Sequence, residues 1–329
     1  MPDSCCTPAR APNTNAAKPL TDPATPRPAR PHDAAGSSRV TAAPAPDVPP
    51  DRDSGIDLEL VPIPAGTFLM GADDAEGFPD DDEGPVRPVT LEGFHIGRFT
   101  VTNALFRRFV EVTGFVSEAE RFGWSFVFHL LVSPQARRRG DVRRVPGLEW
   151  WRAVDGACWH RPEGRGSNVR GREDHPVVHV SHNDALAFCE WAGARLPTEA
   201  EWERAARGGL EQKRYVWGDE LTPGGVHHCN IWQGEFPRIN TGEDGFIGTC
   251  PVDTFPPNGY GLHNMAGNVW EWCAETWSAR GRTTPDRRVM RGGSYLCHHS
   301  YCNRYRVAAR SSNTADSTTG NCGFRVVVD

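Results

Sequence analysis

The sequence predicts a loop-rich α+β domain with little regular secondary structure. Three observations carry that reading. The 329 residues include 34 Gly and 28 Pro, so turns are frequent and long helices few. The 11 Trp supply bulky anchors around which irregular backbone packs. Only three segments show helical periodicity, and no internal repeat appears at solenoid periods. At this length one large domain with a sizeable core is expected.

Residues 1–54 are rich in Pro, Ala, Ser and Asp and nearly lack large apolar side chains. Such a segment cannot bury enough surface to offset its ordering entropy, so a disordered tail is expected there, with one domain over residues 55–329. The tail holds no apolar stretch of the kind a secretory signal needs, which points to a cytoplasmic protein. The net charge of -6 gives no pull toward nucleic acid. No apolar run reaches the ~18 residues that would span a bilayer.

Leu58–Gly71 reads as two short strands broken by a Pro-Gly turn. The acidic run Asp80–Glu83 reads as a solvated loop, and Val89–Ile96 as a further strand. Thr102–Gly114 reads as a helix with Leu105, Phe106, Phe109 and Val110 on its apolar face and Gly114 as its stop. Ser181 caps a second helix, with Asp184 three residues on, and Thr198 with Glu201 opens a third. Residues 208–329 show many turns and few helical patterns.

Ten cysteines are scattered along the chain without a CxxC pair, which argues against a zinc ribbon, a thioredoxin motif and a small disulfide scaffold. Within the folded part only Cys297 and Cys302 lie close together. Taken alone, the pair is open to four readings: a disulfide, a zinc site with His298 and His299, two idle buried thiols, or a soft-metal site. A reducing compartment disfavours the first. Four donors within six residues would strain a zinc tetrahedron.

Several segments resemble the formylglycine-generating enzyme (sulfatase-modifying factor) family. They are Ile63–Gly71, His175–Val180, Arg195–Glu203, Asn230–Pro237, Asn258–Leu262, Gly267–Trp272 and Arg291–Tyr295, and the resemblance covers nearly all of residues 56–329. It implies a fold related to C-type lectins. RLPTEAEWE, GNVWEW and RGGS are shared across a wider superfamily and speak for fold more than for chemistry. The segment Gly292–Arg310 resembles the active-site segment of the oxidase branch, both cysteines included.

In that branch two thiolates bind Cu(I), a soft ion matched to sulfur, and the C-x4-C turn can set two sulfurs on opposite sides of one ion. The resemblance implies a copper-dependent oxidase. With O2 and a thiol reductant, it converts the cysteine of a Cys-x-Pro-x-Arg motif in an unfolded sulfatase to formylglycine. It places Ser294, Trp270, His298, Tyr301, Arg310 and Asn321 around Cys297 and Cys302. Ser294 and Tyr301 are expected to shape the pocket for O2 and sulfur, and Arg310 and Asn321 to orient hydrogen bonds.

The resemblance also implies structural Ca2+, held by hard oxygen donors. A first site would use the side chains of Asn230 and Asp244 with the carbonyls of Ile231 and Phe246. A second would use Asn264, Gly267, Val269 and Glu271. Three positions depart from relatives. Val326 replaces a cysteine that in some secreted relatives is disulfide-bonded, leaving Cys189 without that partner. His182 stands where many relatives carry Trp, and Cys322 where Leu is usual, with the prospect of a rival thiol near the site. Two other classes remain. A three-histidine iron sulfoxide synthase needs an additional helical-bundle domain, for which residues 1–54 are too short and too polar. A non-catalytic lectin-like module for peptide or sugar would leave the cysteine pair unexplained.

Overall fold

The computed structural model describes residues 8–9 and 56–329; the reading of residues 1–54 as a disordered tail otherwise lies outside the described residues. In chain order the elements are β1 (Leu60–Ile63), β2 (Gly66–Met70), β3 (Arg87–Leu91), β4 (Phe94–Gly97), α1 (Asn103–Thr113), α2 (Glu118–Phe122), β5 (Trp124–Phe128), α3 (Pro134–Arg139), β6 (Val142–Val145) and β7 (Leu148–Asp155). There follow α4 (His182–Ala192), α5 (Glu199–Arg207), β8 (Gly234–Glu235), β9 (Ile239–Asn240), β10 (Trp270–Ala279), β11 (Arg282–Arg291), β12 (Arg310–Thr314), β13 (Cys322–Phe324) and β14 (Val327–Val328). Elements are short and loops long, the α+β arrangement the composition predicts.

The three expected helices form with the expected caps. Thr102 accepts a hydrogen bond from Leu105 N, and Gly114 closes α1 in the left-handed region at φ 68°. Ser181 with Asp184, and Thr198 with Glu201, make reciprocal capping boxes. Two further helices, α2 and α3, span only 5 and 6 residues, too few for an apolar period to show. Their capping signals, Ser117 with Glu120 and Ser133 with Pro134, were the only sequence cue.

Val89–Ile96 is not one strand. It breaks at Glu92–Gly93 into β3, which pairs with β2, and β4, which lies between β1 and β14. The partner chain breaks opposite it: Ile63 pairs with Phe94 and Gly66 with Leu91. The two segments thus leave one sheet for the other together, and no ladder bond is stranded. The acidic run is not a solvated loop either. Asp81 and Glu83 are 8% and 6% exposed. Asp81 pairs with Arg304 at 2.7 Å, and Glu83 accepts from Arg306 NH2 at 2.8 Å. Buried cations further along the chain drew the acids inward.

The C-terminal half holds a four-stranded sheet in the order β12-β11-β10-β13, with β13 parallel to β10. Trp202, Trp270 and Trp272 are wholly buried in the main core on this sheet. A smaller aromatic cluster, including Phe128, Trp151, Trp232 and Tyr295, packs beside it. Charged groups are buried with them. Arg291 pairs with Glu199 at 2.9 Å and Glu203 at 2.6 Å, tying α5 to β11. Arg325 pairs with Glu271 at 2.9 Å and donates to the carbonyls of Gly97 and Arg98.

Candidate active site

The turn after β11 begins with two glycines in the left-handed region, Gly292 at φ 92° and Gly293 at φ 75°. A Cβ on Gly293 would lie 2.8 Å from the Arg304 carbonyl oxygen, and one on Gly292 3.1 Å from the Trp202 ring. Only glycine lets this backbone approach that closely. Two turns follow. Cys297 N donates to Ser294 O at 2.8 Å, and Cys302 N to His298 O at 2.7 Å. Together they bring the sulfurs of Cys297 and Cys302 to 3.4 Å, at 1% and 0% exposure.

That contact is far longer than a disulfide of about 2.05 Å. Both sulfurs can reach one ion with bonds of roughly 2.3 Å, the length of a zinc–thiolate bond. A straight sulfur–metal–sulfur line needs about twice that length, so the pair must part by about 1 Å to sit on opposite sides. The donor set, two adjacent sulfurs shielded from water, fits a soft ion. His298 turns its Nδ1 to Ser300 Oγ at 2.8 Å, and burial lowers its pKa, which favours the neutral ring.

Two donors face the sulfurs. Ser294 N–H donates to Cys297 Sγ at 3.3 Å, and the Arg304 guanidinium to Cys302 Sγ at 3.8 Å. Both stabilise thiolate. Arg304 is fixed by Asp81 and by the ring of Phe78, 3.6 Å beneath it. Burial pushes the Asp81 carboxyl up to about 6 despite Arg304, with Glu83 and Cys302 adding to the rise. Sequence reasoning missed Arg304 and Asp81. The available signal was two arginines directly behind Cys302, which need acids if buried.

The other expected residues differ in what they touch. Ser294 Oγ accepts from Asn321 Nδ2 at 3.0 Å, and Asn321 Oδ1 from Thr319 Oγ1 at 2.8 Å. Tyr301 stacks on Phe236 at 4.3 Å and meets Trp150 edge-on at 5.1 Å, which joins it to the aromatic cluster. Trp270 is buried, and its indole N–H has no partner among the described residues. Arg310 bonds Glu199 and the Asp81 carbonyl, at 3.0 and 2.6 Å; it acts on the pair only through Asp81 and Arg304. Cys322 turns its sulfur to Met290 at 3.6 Å in the core. A cavity of about 150 Å³ opens at His298, lined also by His299, Tyr305, Cys229, Trp232 and Gln233.

Of the first oxygen set, Asp244 lies against the backbone of Ile231 and Phe246. Asp244 accepts from Ile231 N and Phe246 N, both at 3.0 Å. The Gln233 amide is wedged between the Asp244 carboxylate and the Ile231 carbonyl. Asn230 spends its amide N–H on Gly248 O at 2.8 Å. Burial raises the Asp244 pKa, and no Arg or Lys pairs with it among the described residues. A half-buried carboxylate facing a carbonyl, without a cationic side chain, fits a hard cation. The same loop touches the thiol pair, since Trp232 N donates to Cys297 O at 3.0 Å.

The second set does not gather in this way. Asn264 Oδ1 is buried without a partner among the described residues, Gly267 gives its N–H to Gly292 O at 2.9 Å, and Val269 is buried. Glu271, however, already neutralises Arg325 and accepts from Trp202 Nε1 at 2.7 Å. Elsewhere, Glu120, Cys158 and His160 form the one cluster of three potential metal ligands among the described residues.

Fold and site together define a sulfatase-modifying-factor-like protein. Residues 46–329 match the model of the sulfatase-modifying factor enzyme 1-like domain, and the chain belongs to that family. It is 57% identical over 297 residues to the formylglycine-generating enzyme of Thermomonospora curvata, covering 86% of this chain and 97% of that one. It is 52% identical over 281 residues to the formylglycine-generating enzyme of Mus musculus, covering 82% and 75%. It is also 48% identical over 272 residues to the inactive C-alpha-formylglycine-generating enzyme 2 of Mus musculus, covering 82% and 85%. Among solved structures, PvdO from Pseudomonas aeruginosa superposes with a TM-score of 0.57 at 24% identity, over 82% of this chain and 93% of that one; that likeness shows the fold alone.

Proposed function

We propose that this protein generates formylglycine in sulfatases, acting as a copper-dependent oxidase on a client cysteine within Cys-x-Pro-x-Arg. The observation that carries the reading is the buried contact of Cys297 and Cys302 with a backbone N–H and a guanidinium at the sulfurs. Because one relative of similar identity is named inactive, the reading rests on this site and not on overall likeness.

Cys297 and Cys302 would hold Cu(I), which when bound supplies one-electron chemistry with O2 and a place for a third thiolate. The chain's own groups do the remaining work. Ser294 N–H and Arg304 favour the thiolate forms. Asn321 and Thr319 fix the Ser294 hydroxyl beside Cys297. Neutral His298 lines the cavity there, Tyr301 packs against Phe236 and Trp150, and burial of the pair excludes bulk water. A thiol reductant supplies the electrons that the client cysteine does not. We assign calcium to Asn230, Ile231, Asp244 and Phe246 as a brace for the loop that hydrogen-bonds Cys297; Glu271 is committed to Arg325, and we assign no ion to the second set. None of the eight described cysteines is disulfide-bonded, which fits a reducing compartment, and we place the protein in the cytoplasm. Among the described residues no helix is long and apolar enough to cross a membrane.

The test incubates Cu(I)-loaded protein with a Cys-x-Pro-x-Arg peptide, O2 and a thiol, and weighs the peptide. Replacing the thiol carbon group by an aldehyde removes about 18 Da. An unchanged peptide mass with copper bound would instead favour a non-catalytic peptide-binding module.

A further inference from the structure

Residues 6–10 of this chain read Cys-Thr-Pro-Ala-Arg, the very pattern expected of the client. Pro8, the central residue of that segment, is buried against the domain. Its carbonyl oxygen accepts two hydrogen bonds, from Ser317 Oγ at 2.7 Å and Asn313 Nδ2 at 3.1 Å. Both donors are 1% exposed. Two buried side chains aimed at one carbonyl make a built acceptor site, since each donor would otherwise be left unsatisfied at a cost. Proline suits the position: it brings no N–H that would need a partner of its own, and its fixed φ presets an extended course.

The shelf leads to the thiol pair. Asn313 lies near the end of β12, and Ser317 stands in the turn that follows, its N–H donating to Thr314 O at 3.0 Å. Four residues further along the same segment, Asn321 donates to Ser294 Oγ at 3.0 Å, and Ser294 N–H meets Cys297 Sγ at 3.3 Å. Cys6 is two residues from Pro8, within about 7 Å of extended chain. A peptide whose proline lies on this shelf therefore carries its cysteine within reach of the segment that supports the pair.

We propose that residues 6–10 are a client carried on the enzyme's own chain, and that Cys6 is converted in cis to formylglycine. The proposal rests on the oxidase reading above. It also gives the Asn313–Ser317 shelf a role: it receives the proline of any client. The step balances. One Cys6 thiol side chain, one O2 and two reductant thiols give the aldehyde, one hydrogen sulfide, one water and one disulfide. The carbon is oxidised at the loss of its sulfur and two hydrogens, and O2 takes up four electrons, two from Cys6 and two from the thiols.

The full chain, loaded with Cu(I) and given O2 and thiol, is digested and its N-terminal peptide weighed, while a separate Cys-x-Pro-x-Arg peptide in the same tube reports the external reaction. The expected result is a loss of about 18 Da located at Cys6, with Cys5, one position out of the motif, unchanged. The half-time should be independent of protein concentration, and Ser317→Ala should lengthen it about fivefold, the worth of one hydrogen bond. A Cys6 that keeps its thiol while the external peptide is converted overturns the proposal. So does a half-time that shortens in proportion to protein concentration, which would mean reaction between molecules. If neither cysteine reacts, the oxidase reading falls and this proposal with it.

Discussion

At the residue scale, the proposed function turns on two sulfurs and what faces them. Cys297→Ala or Cys302→Ala leaves one thiolate where two are needed. Either change should reduce conversion of a Cys-x-Pro-x-Arg peptide at least about a thousandfold, as weighed by mass spectrometry, and lower bound copper in equilibrium dialysis. Asp81 is a more subtle case. Its ion pair with Arg304 does not repay the cost of burying the carboxylate, since its pKa rises from 3.8 to about 6. A raised carboxyl contributes stability below its unfolded pKa and loses it as pH rises through the folded value. Relative to Asp81→Asn, the wild type should therefore lose about 2 kcal/mol between pH 4 and 6. Denaturant titrations at the two pH values measure this, and a flat difference would refute it. The residue that costs stability is the one that steers Arg304 to Cys302. Cys297 and Cys302 were legible because spacing and flanking residues marked them. Asp81 and Arg304 were not, because an acidic run far from its arginines reads as a wet loop until the fold joins them.

At the element scale, the segment 78–84 and the segment after Cys302 clasp one another through paired charges. Glu83→Gln would leave Arg306 buried without its anion, and should cost about 3–5 kcal/mol in chemical unfolding. The loop to which we assign calcium is the second brace. Chelation with EGTA should lower Tm by several degrees: saturation at about 100 times Kd is worth about 2.7 kcal/mol. It should also weaken Cu(I) binding, because Trp232 holds the Cys297 carbonyl. An Asp244→Asn variant should no longer respond to EGTA. Helices were the legible elements, since a cap, an apolar face and a closing glycine are all local. The β10–β11 hairpin was hidden. Its strands mix Trp272 and Trp277 with Glu271 and Glu275, and Pro285 with Arg287 and Arg288, and two register shifts interrupt the pairing. No alternation survives that.

At the scale of the whole molecule, the domain is closed by pairings between distant parts of the chain. β4 is sandwiched between β1 and β14, and Arg325 reaches the Gly97 carbonyl 228 residues away. Pairings of such sequence separation form late and slowly. Until they form, the eight cysteines that the finished domain buries stand in water as reactive thiols. Folding is therefore a race against oxidation. Refolded from denaturant with a reductant, the chain should recover activity. Refolded in air, it should accumulate mispaired disulfides and lose most of its yield, as non-reducing gels would show. The buried thiols thus tie this protein to a chemical environment: a chain whose proposed reaction consumes O2 needs surroundings poor in oxidants for its own assembly.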